Sequence, residues 1–331
     1  MLEWAADLKI ANTDVYLDSR QTRGVCFVSH AHSDHICTHD RVICTPPTAR
    51  LAGHRIGMTC SDPLDYGIDR QLDGDTRVRL LPAGHVLGSA MIHVTRPEGT
   101  LLYTGDFKLR ASLTVEPAQV EPADFLVMES TYGLPMFRFP PWQETAARLV
   151  EIARAALRAG RQPVVMGYSL GKAQETARIL ADAGIPVTMH GAVHAMSRLY
   201  EELGVPLGAF RKYSFADFHG PSALDLAERG VLLAPPYVAR TPFVTRFKDP
   251  CRVIMTGWAL LKNAIYRYGV DHALPLSDHA DFDELIELID RVRPTKVFTH
   301  HGYKEFVDEL RKRNIEAELA RPDEQLSLFE P

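Results

Sequence analysis

Residues 24–35 read GVCFVSHAHSDH. The first half, Gly24-Val25-Cys26-Phe27-Val28, is short, β-branched and aromatic, which reads as a buried strand. The second half sets His30, His32, Asp34 and His35 within six positions where that strand ends. Imidazole and carboxylate are the donors that zinc and manganese take. Four of them bunched on one strand end exceed what turn chemistry asks of Ser, Asp and His. The stretch predicts a strand-built body with a metal site at its rim.

Outward from it, the first part of the chain is dense in short strands bounded by Gly, Pro or Asp: VYLD, RVICT, RVRLLPAG, AMIHVTR, TLLYTGD and DFLVMEST. An antiparallel arrangement is expected for them. From Trp142 the pattern changes, because QETAARLVEIARAALRAG carries apolar residues at helical spacing and Gly160 as a stop. Strand and helix then alternate through QPVVMGYS, GKAQETARILADAG and PVTMH, which implies a parallel sheet. After GVLLAPP and CRVIMTG come a histidine-bearing loop, a helix, a strand ending on His300-His301 and a last helix. The expected organisation is an α/β chain whose body, 1–140 with 272–331, is interrupted by an inserted α/β domain over 141–271.

The bulk numbers agree. At 331 residues the chain can bury a sizeable core, and 46% hydrophobic with 24% charged residues is ordinary for a globular protein. No apolar stretch approaches the length of a bilayer span, and the N-terminus carries Glu3, Asp7 and Lys9 where a signal peptide would be apolar. A cytoplasmic protein is expected. Five cysteines without CxxC spacing argue against a disulfide framework or a zinc ribbon. A net charge of −5 denies the whole-surface basic field of many nucleic-acid binders, so a polyanion would need local patches and metal ions.

Further polar residues close other strands: His85 in LPAGHVLGSA, Asp106 in LLYTGDFK and His301 in KVFTHHG. In this order, HAHSDH, AGHVLGSA and YTGDF resemble the metallo-β-lactamase superfamily. MESTYG, SLGKAQE, SDHADF and THHGY resemble its β-CASP branch of nucleases, and the wording is closest to the bacterial ligase-associated, Artemis-like DNA exonucleases. The likeness runs along almost the whole chain. It implies a metallo-β-lactamase αββα sandwich carrying the inserted β-CASP domain. It also implies two divalent ions, zinc or manganese: His30, His32 and His85 on one, Asp34, His35 and His301 on the other, and Asp106 between them. Such a pair clamps a phosphate and activates water, which suits phosphodiester hydrolysis. Asp18 of VYLDSR would orient a ligand histidine or the water. Glu129 would hold His279, and protonated His279 would serve the leaving oxygen.

Two features bear on substrate. Gly171 opens a helix with Ser169 and Lys172 alongside, a phosphate-type helix start, and Lys108 and Arg110 are candidate backbone contacts. The tail Gln325-Leu326-Ser327-Leu328-Phe329 resembles the peptide by which bacterial repair proteins dock on the DNA sliding clamp, and the group implies DNA ligase and helicase partners. The expected function is a two-metal DNA exonuclease of repair, 5′ to 3′ on single strands. The alternative is an RNA-processing β-CASP ribonuclease.

Overall fold

The structure, a computed structural model, describes residues 1–320 apart from Ala6 and Ser222. The tail residues Gln325, Leu326, Leu328 and Phe329 lie outside the described residues. The chain divides into two compact units, 1–138 with 278 onward, and 139–277.

The first unit holds two sheets. One runs in the order β1 (Leu2–Ala5), β2 (Asp7–Ile10), β3 (Val15–Leu17), β4 (Val25–Phe27), β5 (Arg41–Cys44) and β6 (Asp62–Pro63). The other begins with β7 (Arg70–Asp73), β8 (Thr76–Pro82), β9 (Ala90–Arg96), β10 (Gly99–Tyr103) and β11 (Phe125–Glu129). Successive side chains on a strand point to opposite faces, and the second sheet uses both. Leu80, Ile92, Leu101 and Val127 meet Leu17, Phe27 and Ile43 of the first sheet in one core. Their neighbours Leu81, Met91, Leu102, Leu126 and Met128 form a second core with two helices, Phe282–Val292 and Lys304–Lys312.

The expectation of antiparallel pairing holds for β7 to β10 and is corrected elsewhere. β3, β4, β5 and β6 pair in parallel, as do β10 and β11. The long connections 28–40, 45–61 and 104–124 are crossovers of the kind parallel neighbours require.

The second unit is built on one parallel sheet. In chain order its strands are β12 (Pro163–Met166), β13 (Val187–Met189), β14 (Phe210–Lys212), β15 (Val231–Ala234), β16 (Cys251–Met255) and β17 (His272–Leu274). In space the order is β14-β13-β15-β12-β16-β17, every pair parallel. Helices Trp142–Arg158, Lys172–Asp182 and Gly191–Glu202 lie between the strands in sequence. The unit runs to Ser277, past the 271 expected, because β17 pairs with β16 and keeps the chain in this sheet to Leu274. The chain then returns to the first unit and adds β18 (Lys296–His300) beside β11 and β19 (Ala317–Leu319) beside β18. Among the described residues no helix is long and apolar enough to cross a membrane.

The return is anchored at Asp281. Its buried carboxylate caps the helix Phe282–Val292 by accepting from the amides of Asp283 and Glu284, both at 3.0 Å, while Glu284 reaches back to the Asp281 amide. Arg110 pairs with the same carboxylate. Asp281→Ala removes the cap and one partner of that pair, so a loss of about 2 kcal/mol is expected in a urea unfolding midpoint.

Candidate metal centre

Strand direction assembles the site. β8 and β10 both run antiparallel to β9, so they run alike, and β11 and β18 are parallel to β10. Their carboxyl ends therefore share one rim, which carries His85 beyond β8, Asp106 beyond β10, Glu129 at the end of β11 and His300-His301 at the end of β18. In the facing sheet, Asp18 follows β3 and the Ser29–His35 loop follows β4.

Four of the expected donors converge. His32 Nδ1 lies 3.0 Å from both His30 Nε2 and His85 Nε2. Asp106 Oδ2 is 3.5 Å from His30 Nε2 and 3.7 Å from His85 Nε2. Nitrogens bound to one tetrahedral zinc stand about 3.4 Å apart, so three imidazoles and a carboxylate in this compass fit a divalent ion.

The partners of the other ring nitrogens set the tautomers. The Asp18 carboxylate accepts from the Ser29 amide (2.7 Å), Ser29 Oγ (2.6 Å), Tyr103 Oη (2.8 Å) and His35 Nδ1 (2.9 Å). Because Ser29 Oγ spends its hydrogen on Asp18, it can only accept from His30 Nδ1, 3.0 Å away. His85 Nδ1 donates to the Asp278 carbonyl at 2.8 Å. In His30 and His85 the proton is on Nδ1 and the Nε2 lone pair is left for a cation, and His35 also donates from Nδ1. Burial, with neighbouring imidazoles, holds His30 well below its ordinary pKa; burial and His279 push His85 down to about 3. Both rings are neutral, the form that binds metal. Burial disfavours a charge on His35, but Asp106 and Asp18 outweigh it and raise its pKa. Burial likewise opposes the Asp106 carboxylate, which His35 and His279 hold ionised. A bound cation would take over the charge that His35 now presents to Asp106.

The second expected set is more open. His35 Nε2 lies 3.4 Å from Asp106 Oδ2 and 3.8 Å from Asp34 Oδ2, whose side chain is 60% exposed. His301 is exposed, with its ring centroid 5.6 Å from that of His35. His300 is buried and stacks on Tyr103. Gly302 after them admits no side chain, since a Cβ would lie 2.4 Å from the Ser130 carbonyl oxygen.

Beside the cluster, His279 Nδ1 donates to Glu129, 2.9 and 3.0 Å from its two oxygens. Glu129 is buried and also accepts from the Phe107 amide and Thr131 Oγ1. Burial opposes a charge on His279, but Glu129 and Asp106 outweigh it and lift its pKa to about 9.

The phosphate candidates fare differently. Lys108 and Lys172 are buried, and Arg110, its side chain 36% exposed, pairs with Asp281 and Glu284. Ser169 is half-buried in the loop before the helix Lys172–Asp182 of the second unit. Sequence reasoning missed Ser29, Tyr103 and Asp278. Ser29 was in plain view beside His30, but the other two act through contacts made only when distant strands meet.

Residues 267–319 match the family described as Zn-dependent metallo-hydrolase RNA specificity domain. The chain is 38% identical to the "Probable DNA ligase" of Opitutus terrae over 316 residues, 95% of this chain and 30% of that protein. It thus spans about a third of the length of that relative. It is 29% identical to the 5′ exonuclease Apollo of Gallus gallus over 280 residues, 82% of this chain and 57% of that one. A crystal structure of an Enterococcus faecalis protein of unknown function shares the fold, with a TM-score of 0.62 at 16% identity over 92% of this chain and 81% of its own. These likenesses agree with the resemblance of the sequence motifs to the β-CASP branch of the metallo-β-lactamase superfamily.

Asp18→Ala unties Ser29, His35 and Tyr103 together. Zinc affinity, measured in competition with a chromophoric chelator, is expected to fall about 10- to 100-fold; Tyr103→Phe removes one donor of the four and should cost less.

Proposed function

We propose that the chain is a two-metal DNA nuclease, an exonuclease working 5′ to 3′ on single strands in DNA repair. The observation that carries this reading is the convergence of His30, His32, His85 and Asp106 beside the Glu129–His279 pair. His30, His32 and His85 would hold one ion, Asp34, His35 and His301 the other, with Asp106 available to either. The two ions, zinc or manganese, supply Lewis-acid polarisation of the phosphoryl oxygen and a lowered pKa for the attacking water when bound. Asp18 keeps the ligand rings in one tautomer. Glu129 fixes His279 through Nδ1, so His279 presents its Nε2 proton to the leaving sugar oxygen as the P–O bond breaks. DNA is favoured as substrate because the likeness to a protein named as a DNA ligase covers nearly all of this chain, and the Apollo likeness favours a 5′ exonuclease. The description of the family matched by 267–319 favours the second reading, a ribonuclease.

Purified protein given end-labelled single-stranded DNA and manganese should degrade it from the 5′ end, and excess chelator should stop it. His32→Ala and Asp106→Ala should each lower turnover by about 10³-fold, the several kcal/mol that metal catalysis contributes. Undiminished cleavage by either variant refutes the ligand assignment, and faster cutting of a matched RNA strand selects the ribonuclease.

The tail is proposed to dock on the sliding clamp through Gln325, Leu326, Leu328 and Phe329, placing the enzyme beside DNA ligase and helicase partners. Deleting the chain from Gln325 should abolish co-elution with the clamp and leave cutting of free oligonucleotides intact.

A further inference from the structure

In the second unit, the strands β15, β12 and β16 are immediate neighbours and run parallel, so the loops at their carboxyl ends leave one edge side by side. Adjacent strands lie about 5 Å apart, and in open parallel sheets that edge is where ligands bind. Each of the three connections exposes a tyrosine: Tyr168 two residues after β12 at 55%, Tyr237 in the 3-10 turn Pro236–Val238 after β15 at 68%, and Tyr266 in the helix Ala264–Tyr268 between β16 and β17 at 89%. An exposed aromatic on every one of three adjacent loops is more than scattered surface apolarity.

Charge follows the same edge. The connections 235–250 and 256–271 carry Arg240, Arg246, Lys262 and Arg267 along their course, while Lys248, Asp249 and Asp271 lie at their far ends, beside the starts of β16 and β17. The loop after the outer strand β14 has the opposite character, with Asp217, Asp225 and Glu228. Basic residues thus outnumber acidic ones in the two connections that carry Tyr237 and Tyr266. The rings are also held. His190 meets the Tyr237 ring edge-on at 6.2 Å, and the Lys172 ammonium lies 5.1 Å from the Tyr168 centroid. Arg240 donates to the Arg267 carbonyl, which ties the β15 loop to the β16 loop.

Flat rings set among a surplus of cations suit a chain of phosphates whose bases are free to stack. A duplex keeps its bases paired and hides their faces. We propose that this edge is a seat for single-stranded DNA, with successive bases stacked on Tyr168, Tyr237 and Tyr266 and the backbone held by the arginines and lysines of the two basic loops. The proposal rests on the nuclease reading for its occupant.

Binding of fluorescein-labelled oligothymidylate to the full chain, followed by anisotropy with chelator present so that nothing is cut, tests it. Each of Tyr168→Ala, Tyr237→Ala and Tyr266→Ala should weaken binding about 5- to 30-fold, and the corresponding Tyr→Trp variants should restore it. Affinity for an abasic deoxyribose-phosphate polymer should be unchanged in all six. Unaltered oligothymidylate binding in the three alanine variants, or an equal loss on the abasic polymer, overturns the seat. Tighter binding of oligouridylate than of oligothymidylate overturns DNA as its occupant. Manganese-dependent hydrolysis of bis(p-nitrophenyl) phosphate by the unaltered chain separates the two readings: if it persists while the tyrosine variants bind normally, only the seat falls, and if it is absent, the nuclease reading itself falls.

Discussion

One carboxylate holds the rim together. Asp18 stands just past β3 with a positive φ of 47°, a backbone state that Asp tolerates better than most residues. From there it gathers Ser29 and His35 from the loop after β4 and Tyr103 from the facing sheet. The four bonds do more than stabilise. They decide which nitrogen of His30 and of His35 carries a proton, and so whether the rings offer lone pairs or hydrogens to the space between them. A neighbouring position is specified as tightly: Gly105, with φ 53°, leaves no room for a Cβ, which would stand 2.5 Å from the Ser29 side chain. The approach of Ser29 to the loop that ends in Asp106 requires a glycine there.

Strand direction is the larger constraint of the same kind. A meander would send every second strand end to the far side of the body and split the donors between two edges. Parallel steps at β3, β4 and β5, and again at β10, β11 and β18, bring the polar ends to one side. The cost is in long connections, and one of them has grown into the whole second unit, between β11 and β18. That unit repeats the device, with six parallel strands and their loops at a common edge.

Much of this was legible beforehand, for identifiable reasons. HAHSDH, AGH and TGD are local: the donors lie within a few residues of a strand end, and strand ends are marked by β-branched runs and glycines. The alternation of strand and helix after Trp142 is also a local pattern, and it predicted the parallel sheet. The mixed pairing of the body was not legible, because a short strand carries no mark of the direction of its neighbour. Tyr103 read as the last apolar residue of a strand, and only the facing sheet makes its hydroxyl a donor to Asp18. Asp278 takes part through its backbone carbonyl, which no side-chain pattern announces. Arg110 looked available because its partners, Asp281 and Glu284, lie more than 170 residues away.

That last separation bears on how the protein is made. His85 and Asp106 are synthesised well before some of the groups that aim them. The amides of Leu109 and Arg110, directly after Asp106, are bound by Glu284, and the ring of His85 is turned by the carbonyl of Asp278. A nascent chain therefore carries His85 and Asp106 without these contacts through synthesis of the entire second unit. The orientation of His85 and of the segment after Asp106 is thus completed only once the chain has passed Glu284.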